Sequence, residues 1–214
     1  PPVHAFINTE ITVHSPSRYL WAGMGDTYAK YFEAVMSSKE EELQHYFRMG
    51  VNASRMCYEP IMEYGCEAMK SNDEKKVSYA YEQVVLAIIV STAVASIYLT
   101  VEHTVHYNSG LAHAIFYSLT AHPHIEKNHL HGEVVSYGVL NLLLVDGNKE
   151  DFKKVYNFNK SVALPTKLVD LEFTEDDIES LAENAVVMKD IEHNPYVITK
   201  EMLVEAMRVL ENKR

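Results

Sequence analysis

Apolar residues recur every three to four positions along most of this chain, which is the pattern of helices that bury one face. Ser15 before Pro16, and later Thr174 and Thr199, stand where helix N-caps are expected. Pro60 is expected to kink or split its helix. We predict nine helices, over about 16–23, 26–37, 39–70, 73–105, 109–121, 133–147, 149–161, 175–190 and 199–211.

The first residues have a different pattern. Residues 3–14 alternate loosely between apolar and polar and are rich in β-branched side chains, which predicts a strand or an extended lead-in. The chain starts at Pro1 without an initiating Met or a secretory leader, so we interpret 1–14 as a lead-in from a preceding domain of a longer protein. Residues 15–214 show almost no strand signal, no repeat and no linker, and are predicted to form one all-α domain.

One uncharged run tests for a membrane span. Residues 84–101 reach the minimum length of a spanning helix, but they are rich in Ala, Ser and Thr and lack flanking aromatic residues. A helix that is apolar all round also forms the centre of a large helical domain. We therefore predict a buried core helix and no membrane partner.

Charge and cysteine content limit the partners and the compartment. The net charge of -11 repels phosphate backbones, so no nucleic-acid partner is expected. Cys57 and Cys66 are interpreted as free thiols in a reducing compartment, which favours the cytoplasm. The chain also has no glycine-rich phosphate-binding motif.

Histidine is enriched, and seven of the eleven histidines lie from position 103 to position 131. His113 lies on an apolar helical stretch, where a satisfied core histidine is the alternative to a metal ligand. His131 precedes Gly132 and Glu133 at a helix start, so it could be a ligand oriented by Glu133 or a carbonyl, or a solvated loop residue. Asp26 follows two glycines, where a simple N-cap is the alternative. One aspartate and two histidines suit Zn²⁺ or Fe²⁺ and leave a coordination position open.

Four short motifs occur in order and together resemble the glycerol dehydrogenase branch of the iron-type, metal-dependent alcohol dehydrogenases. They are Gly-Met-Gly-Asp at 23–26, Tyr-Phe-Glu-Ala at 31–34, Ala-His-Ala-Ile at 112–115 and His-Gly-Glu at 131–133. The resemblance runs from about residue 3 onward and fits the helical C-terminal domain of that family. It implies a homo-oligomer and a separate, preceding α/β domain that binds NAD.

The resemblance also implies a metal site in the helical domain. The family's ligands correspond to Asp26, His113 and His131, and Lys30 stands where iron-dependent members have a fourth ligand. Because an ammonium group cannot ligate a metal, Zn²⁺ is expected in preference to Fe²⁺.

The implied reaction is oxidation of an alcohol or polyol such as glycerol, in which a metal-bound alkoxide gives hydride to the nicotinamide of NAD. Tyr117 and His103 are candidates for passing the proton to water. This chain by itself is expected to bind metal without turning over substrate. Tyr117 replaces a histidine that is common in the family, and residues 102–110 lack the usual Gly-Phe-Glu-Ser-Gly-Gly run, so the substrate stays open.

Three alternatives accompany this interpretation. The first is a 2-hydroxycarboxylate dehydrogenase of the same family. The second is a non-catalytic helical metal-binding or interaction domain. The third is a lyase-type cyclisation of a phosphorylated sugar acid, which Lys127 alone, as the one basic residue near the two histidines, supports poorly.

Overall fold

The computed structural model describes residues 4–101 and 103–213. These residues contain helices and no β-strand, so the predicted all-α class is confirmed. The helices are α1 (Thr9–Thr12), α2 (Ser17–Ser37), α3 (His45–Asp73), α4 (Tyr79–Leu86), α5 (Thr92–Leu99), α6 (Leu111–Thr120), α7 (Pro123–Asn128), α8 (His131–Val145), α9 (Lys149–Val162), α10 (Ile178–Ala185) and α11 (Lys200–Glu211). A π-helical turn, Ala87–Ser91, joins α4 to α5.

Helix α8 is the centre of the molecule. Its residues are buried continuously over 132–143, and it packs against α2, α6, α9 and α11. Because polar faces are not needed on a helix covered on all sides, this segment is apolar with few interruptions.

Glycines on α8 allow its two closest neighbours to touch it at the backbone. A Cβ atom added at Gly132 would lie 1.9 Å from the carbonyl oxygen of Ala22 on α2. A Cβ atom added at Gly138 would lie 2.5 Å from the carbonyl oxygen of Ala112 on α6. The α2 and α6 helices are therefore drawn against the first two turns of α8.

Helices α2 and α3 differ from the prediction. The expected break at Gly23 to Gly25 is wrong, because α2 continues through both glycines. Gly25 instead faces α8, where a Cβ atom would lie 2.3 Å from the carbonyl oxygen of Gly132. Pro60 does not split α3, which is one helix that begins at His45 rather than near residue 39.

The lead-in is only partly extended. Pro1, Pro2 and Val3 lie outside the described residues, residues 4–8 have no regular structure, and α1 is a single helical turn, so the strand alternative is wrong. The side-chain amide of Asn72 on α3 donates to the carbonyl oxygens of Val13 and Ser15, at 2.8 and 3.1 Å. Helix α3 thus fixes the connection between α1 and α2.

The apolar run is not a core helix. The segment Tyr79–Leu99 is long and apolar enough to cross a membrane, and only 28% of its most apolar window is buried. Helices α2 and α3 cover one side and leave an exposed apolar stripe. The stripe consists of Leu86, Ile89, Val90, Ala93, Val94, Ile97 and Val101.

Candidate metal centre

Asp26, His113 and His131 come together where α2, α6 and α8 meet. The Oδ1 atom of Asp26 lies 3.3 Å from Nε2 of His131 and 3.6 Å from Nε2 of His113. One ligand atom from each residue falls within 4.8 Å of the other two. Ligand atoms at about 2.0–2.1 Å from a tetrahedral zinc ion are separated by roughly 3.3 Å. The donor set therefore fits a divalent ion.

The three residues occupy different positions in their helices. Asp26 lies in the middle of α2, so its interpretation as a simple N-cap is wrong. His113 lies in the first turn of α6, and His131 is the first residue of α8, as expected for it. The backbone contacts of Gly132 and Gly138 are what bring these three helical positions together.

Glu33 is a functional candidate whose role the sequence did not reveal. It is 1% exposed, and its Oε2 atom lies 2.7 Å from Nδ1 of His113. Its Oε1 atom accepts hydrogen bonds from the backbone N–H groups of Gly110 and His113, at 2.9 and 3.0 Å. A proton held on Nδ1 by this carboxylate leaves the Nε2 lone pair free for a metal ion. Spacing was the available signal, because Glu33 follows Asp26 by two helical turns.

Glu133 does not orient His131, contrary to one expectation. Its carboxylate lies 2.7 Å from Nδ1 of His129 and accepts a hydrogen bond from the backbone N–H of Leu130 at 3.0 Å. The ring of His131 is instead packed edge-on against Phe116, with 4.2 Å between ring centroids.

The ionisation of the centre is strongly coupled. Burial by itself lowers the pKa of His113, but the charge of Glu33 and the hydrogen bonds and charge of Asp26 raise it to about 10. Burial acts to raise the pKa of Asp26, and its hydrogen bonds and charge interactions with His113 and His131 outweigh this and hold that pKa well below its usual range. In the metal-free chain a proton on His113 therefore occupies the place of a cation.

One side of the centre is open. The side chains of Asp26 and His131 are 40% and 45% exposed, whereas that of His113 is 13% exposed. A metal ion bound here would keep room for an exchangeable ligand, which is typical of catalytic rather than structural zinc.

The two candidate proton carriers are placed differently. Tyr117 lies one turn after His113 on α6 and is 43% exposed, and partial burial together with the charges of Asp190 and Glu33 raises its pKa. His103 lies in the segment between α5 and α6, exposed and with a φ of 57°. None of the described contacts joins His103 to the three ligands. A role of either residue in proton transfer stays a prediction.

The fold and the ligand set together define a helical domain with a three-ligand centre open on one side. Over 98% of its length the chain is 32% identical to a glycerol dehydrogenase of Thermotoga maritima. Over 96% it is 28% identical to hydroxycarboxylate dehydrogenase A of Escherichia coli. A solved glycerol dehydrogenase of Schizosaccharomyces pombe superposes over 96% of the chain with a TM-score of 0.80 at 22% identity.

The chain belongs to the glycerol dehydrogenase branch of the iron-type alcohol dehydrogenase family, and its helices are the helical domain of that fold. It spans 58% of the length of the Thermotoga maritima relative and 53% of the solved Schizosaccharomyces pombe chain. A scan against models of known protein families finds no match.

Proposed function

We propose that this chain is the metal- and substrate-binding part of an NAD-linked, metal-dependent dehydrogenase that oxidises a small alcohol or polyol of the glycerol type. The convergence of Asp26, His113 and His131 beside an open, solvent-facing side supports this function above the others. A purely structural metal site would be closed by a fourth protein ligand. The relatives named as glycerol dehydrogenases support the same reaction class.

The residues of this chain have separate tasks in that reaction. Asp26, His113 and His131 would hold a divalent ion, and Glu33 keeps the Nε2 atom of His113 directed towards it. The ion supplies Lewis-acid activation of a substrate hydroxyl group, which hydride transfer to a nicotinamide requires. The phenol of Tyr117 is the candidate for receiving or relaying the proton, since it is half-exposed on the same helix as His113.

Zinc is the proposed ion, ahead of iron. Lys30, at the position where iron-dependent relatives have a fourth ligand, donates through Nζ to the main-chain and side-chain carbonyl oxygens of Asn108, at 2.5 and 3.1 Å. Its ammonium group is thus engaged away from the ligand atoms. Three ligands with imidazole and carboxylate donors suit Zn²⁺.

Metal content after dialysis tests the proposal. The purified chain should retain about one zinc or iron ion, measured by mass spectrometry, and the Asp26→Ala, His113→Ala double variant should lose it. A matched control is the Asp176→Ala, His14→Ala double variant, which removes the same residue types from exposed positions. Metal retained by the first variant, or lost equally by the second, would contradict the ligand assignment.

The reaction itself needs a second test. The longer protein should reduce NAD in the presence of glycerol and lose that activity when the metal is removed and regain it when zinc is restored. Activity that is unaffected by metal removal would favour the alternative of a domain in which the histidines are structural. Oligomeric state and a cytoplasmic location remain part of the proposal.

A further inference from the structure

Lys30 is a buried cation on the polar face of α2. It follows Asp26 by four residues and precedes Glu33 by three, so these three side chains share one helical face. Lys30 is 8% exposed, and its Nζ atom donates to two oxygens of Asn108. Asn108 lies in the segment that leads into α6 and His113.

The acceptors of Lys30 leave its charge in place. Both oxygens of Asn108 are neutral carbonyl oxygens, and Lys30 forms no ion pair with another of the described residues. A divalent ion would be balanced by the carboxylates of Asp26 and Glu33. Lys30 then leaves one positive charge in excess beside the open side of the centre, in surroundings where charges are weakly screened.

From this charge balance we propose that the open side accepts a substrate with a carboxylate next to its hydroxyl or carbonyl group, that is, a 2-hydroxy or 2-oxo acid. Lys30 is the specificity-determining residue that favours the carboxylate over a neutral group of the same shape. The inference rests on the proposed metal centre. One unit charge within a helical turn or two of a partly buried ligand changes its affinity by about tenfold.

A positioning role for Lys30 is the competing explanation, because the same side chain anchors Asn108. Two variants separate the two roles. Lys30→Gln removes the charge but keeps an N–H donor for Asn108, whereas Asn108→Ala removes the side-chain acceptor and keeps the charge. Lys39→Gln is the matched control, since Lys39 is an exposed lysine on another part of the surface that pairs with Asp146.

The test uses the chain loaded with Co²⁺, whose visible absorption changes when the open position is filled. Glycolate and glycolamide are the two probes, because they have nearly the same shape and differ in charge. At constant ionic strength, Lys30→Gln should weaken glycolate binding about tenfold. It should leave glycolamide binding unchanged, while Asn108→Ala and Lys39→Gln keep both affinities.

Several outcomes would overturn the inference. They are an unchanged glycolate affinity in Lys30→Gln, an equal loss for both probes, and an equal loss in Asn108→Ala, which would make Lys30 a positioning residue. If Lys30→Gln does not fold by circular dichroism, Lys30→Arg decides, since it keeps the charge and must retain glycolate affinity within about threefold. Failure of the unaltered chain to take up Co²⁺ is a different result, which sinks the proposed metal centre itself.

Discussion

Glu33 accepts three hydrogen bonds from one short stretch of chain, two from backbone N–H groups and one from the ring of His113. Glu33→Gln replaces one acceptor oxygen by an N–H donor, so at least one of these bonds is lost and the ring is no longer fixed. We expect zinc affinity to fall about 10- to 100-fold. Competition with a chromogenic chelator measures this. The exposed Glu42→Gln serves as control, and equal affinities in the two variants would exclude an orienting role for Glu33.

The pH dependence of metal binding follows from His113. Its pKa in the metal-free chain is raised to about 10 from an ordinary value of 6.5. The protonated ring therefore stabilises the metal-free fold fully below pH 6.5, and this contribution is lost as the pH rises through about 10. Since a metal ion must displace that proton, zinc affinity should increase about tenfold per pH unit across the neutral range. Titrations at pH 6.5, 7 and 8 check this, and a flat profile would show that His113 is already neutral.

At the scale of helices, the contact of Gly25 with α8 determines whether the ligands meet. In Gly25→Ala the new methyl group would lie 2.3 Å from the carbonyl oxygen of Gly132, so α2 and α8 must separate. We expect a loss of about 1–3 kcal/mol in the free energy of unfolding, together with weaker metal binding. Urea unfolding and metal content measure the two effects.

Gly23→Ala is the control for this prediction, two residues away on the same helix. Its new methyl group would meet the Cδ1 atom of Ile88 at 3.2 Å, and that side chain can shift. Alanine is also the better helix former by roughly 1 kcal/mol. If Gly23→Ala is as destabilising as Gly25→Ala, helix propensity rather than the crossing with α8 controls this region.

The helices themselves were predictable because their apolar spacing is a local property of the sequence. The continuity of α2 was not, since Gly23 and Gly25 have low helix propensity and only the crossing with α8 explains Gly25. In the same way the motifs identified Asp26, His113 and His131, whereas the contact between Glu33 and His113 joins residues that are 80 positions apart. Such a pairing is a tertiary property that no local pattern contains.

At the scale of the whole molecule, the exposed apolar stripe shows what apolarity alone cannot decide. Residues 84–101 have the composition of a core helix, but burial depends on how many neighbours cover it, and here only one side is covered. We expect the double variant Ile89→Gln, Ile97→Gln to bind less of the dye ANS and to change the free energy of unfolding by no more than about 0.5 kcal/mol. Fluorescence and urea unfolding provide both measurements.

The matched control is Ile61→Gln, because Ile61 is fully buried on α3. It should destabilise the fold by about 2–5 kcal/mol, since it leaves an amide in an apolar site. A stripe variant that is as unstable as Ile61→Gln would mean that the stripe is packed against the rest of the chain.

The π-helical turn at Ala87–Ser91 has a consequence for changes in chain length. An i→i+5 turn contains one residue more than an α-helical turn, and the hydroxyl of Thr92 donates to the carbonyl oxygen of Ala87 across it, at 3.2 Å. Deleting Val90 would convert the turn to ordinary α-helix and leave the facing of α4 and α5 unchanged. A deletion inside α4 would instead rotate everything beyond it by about 100°. The helix therefore contains a position where evolution or an engineer can shorten the chain by one residue while the buried contacts on both sides keep their register.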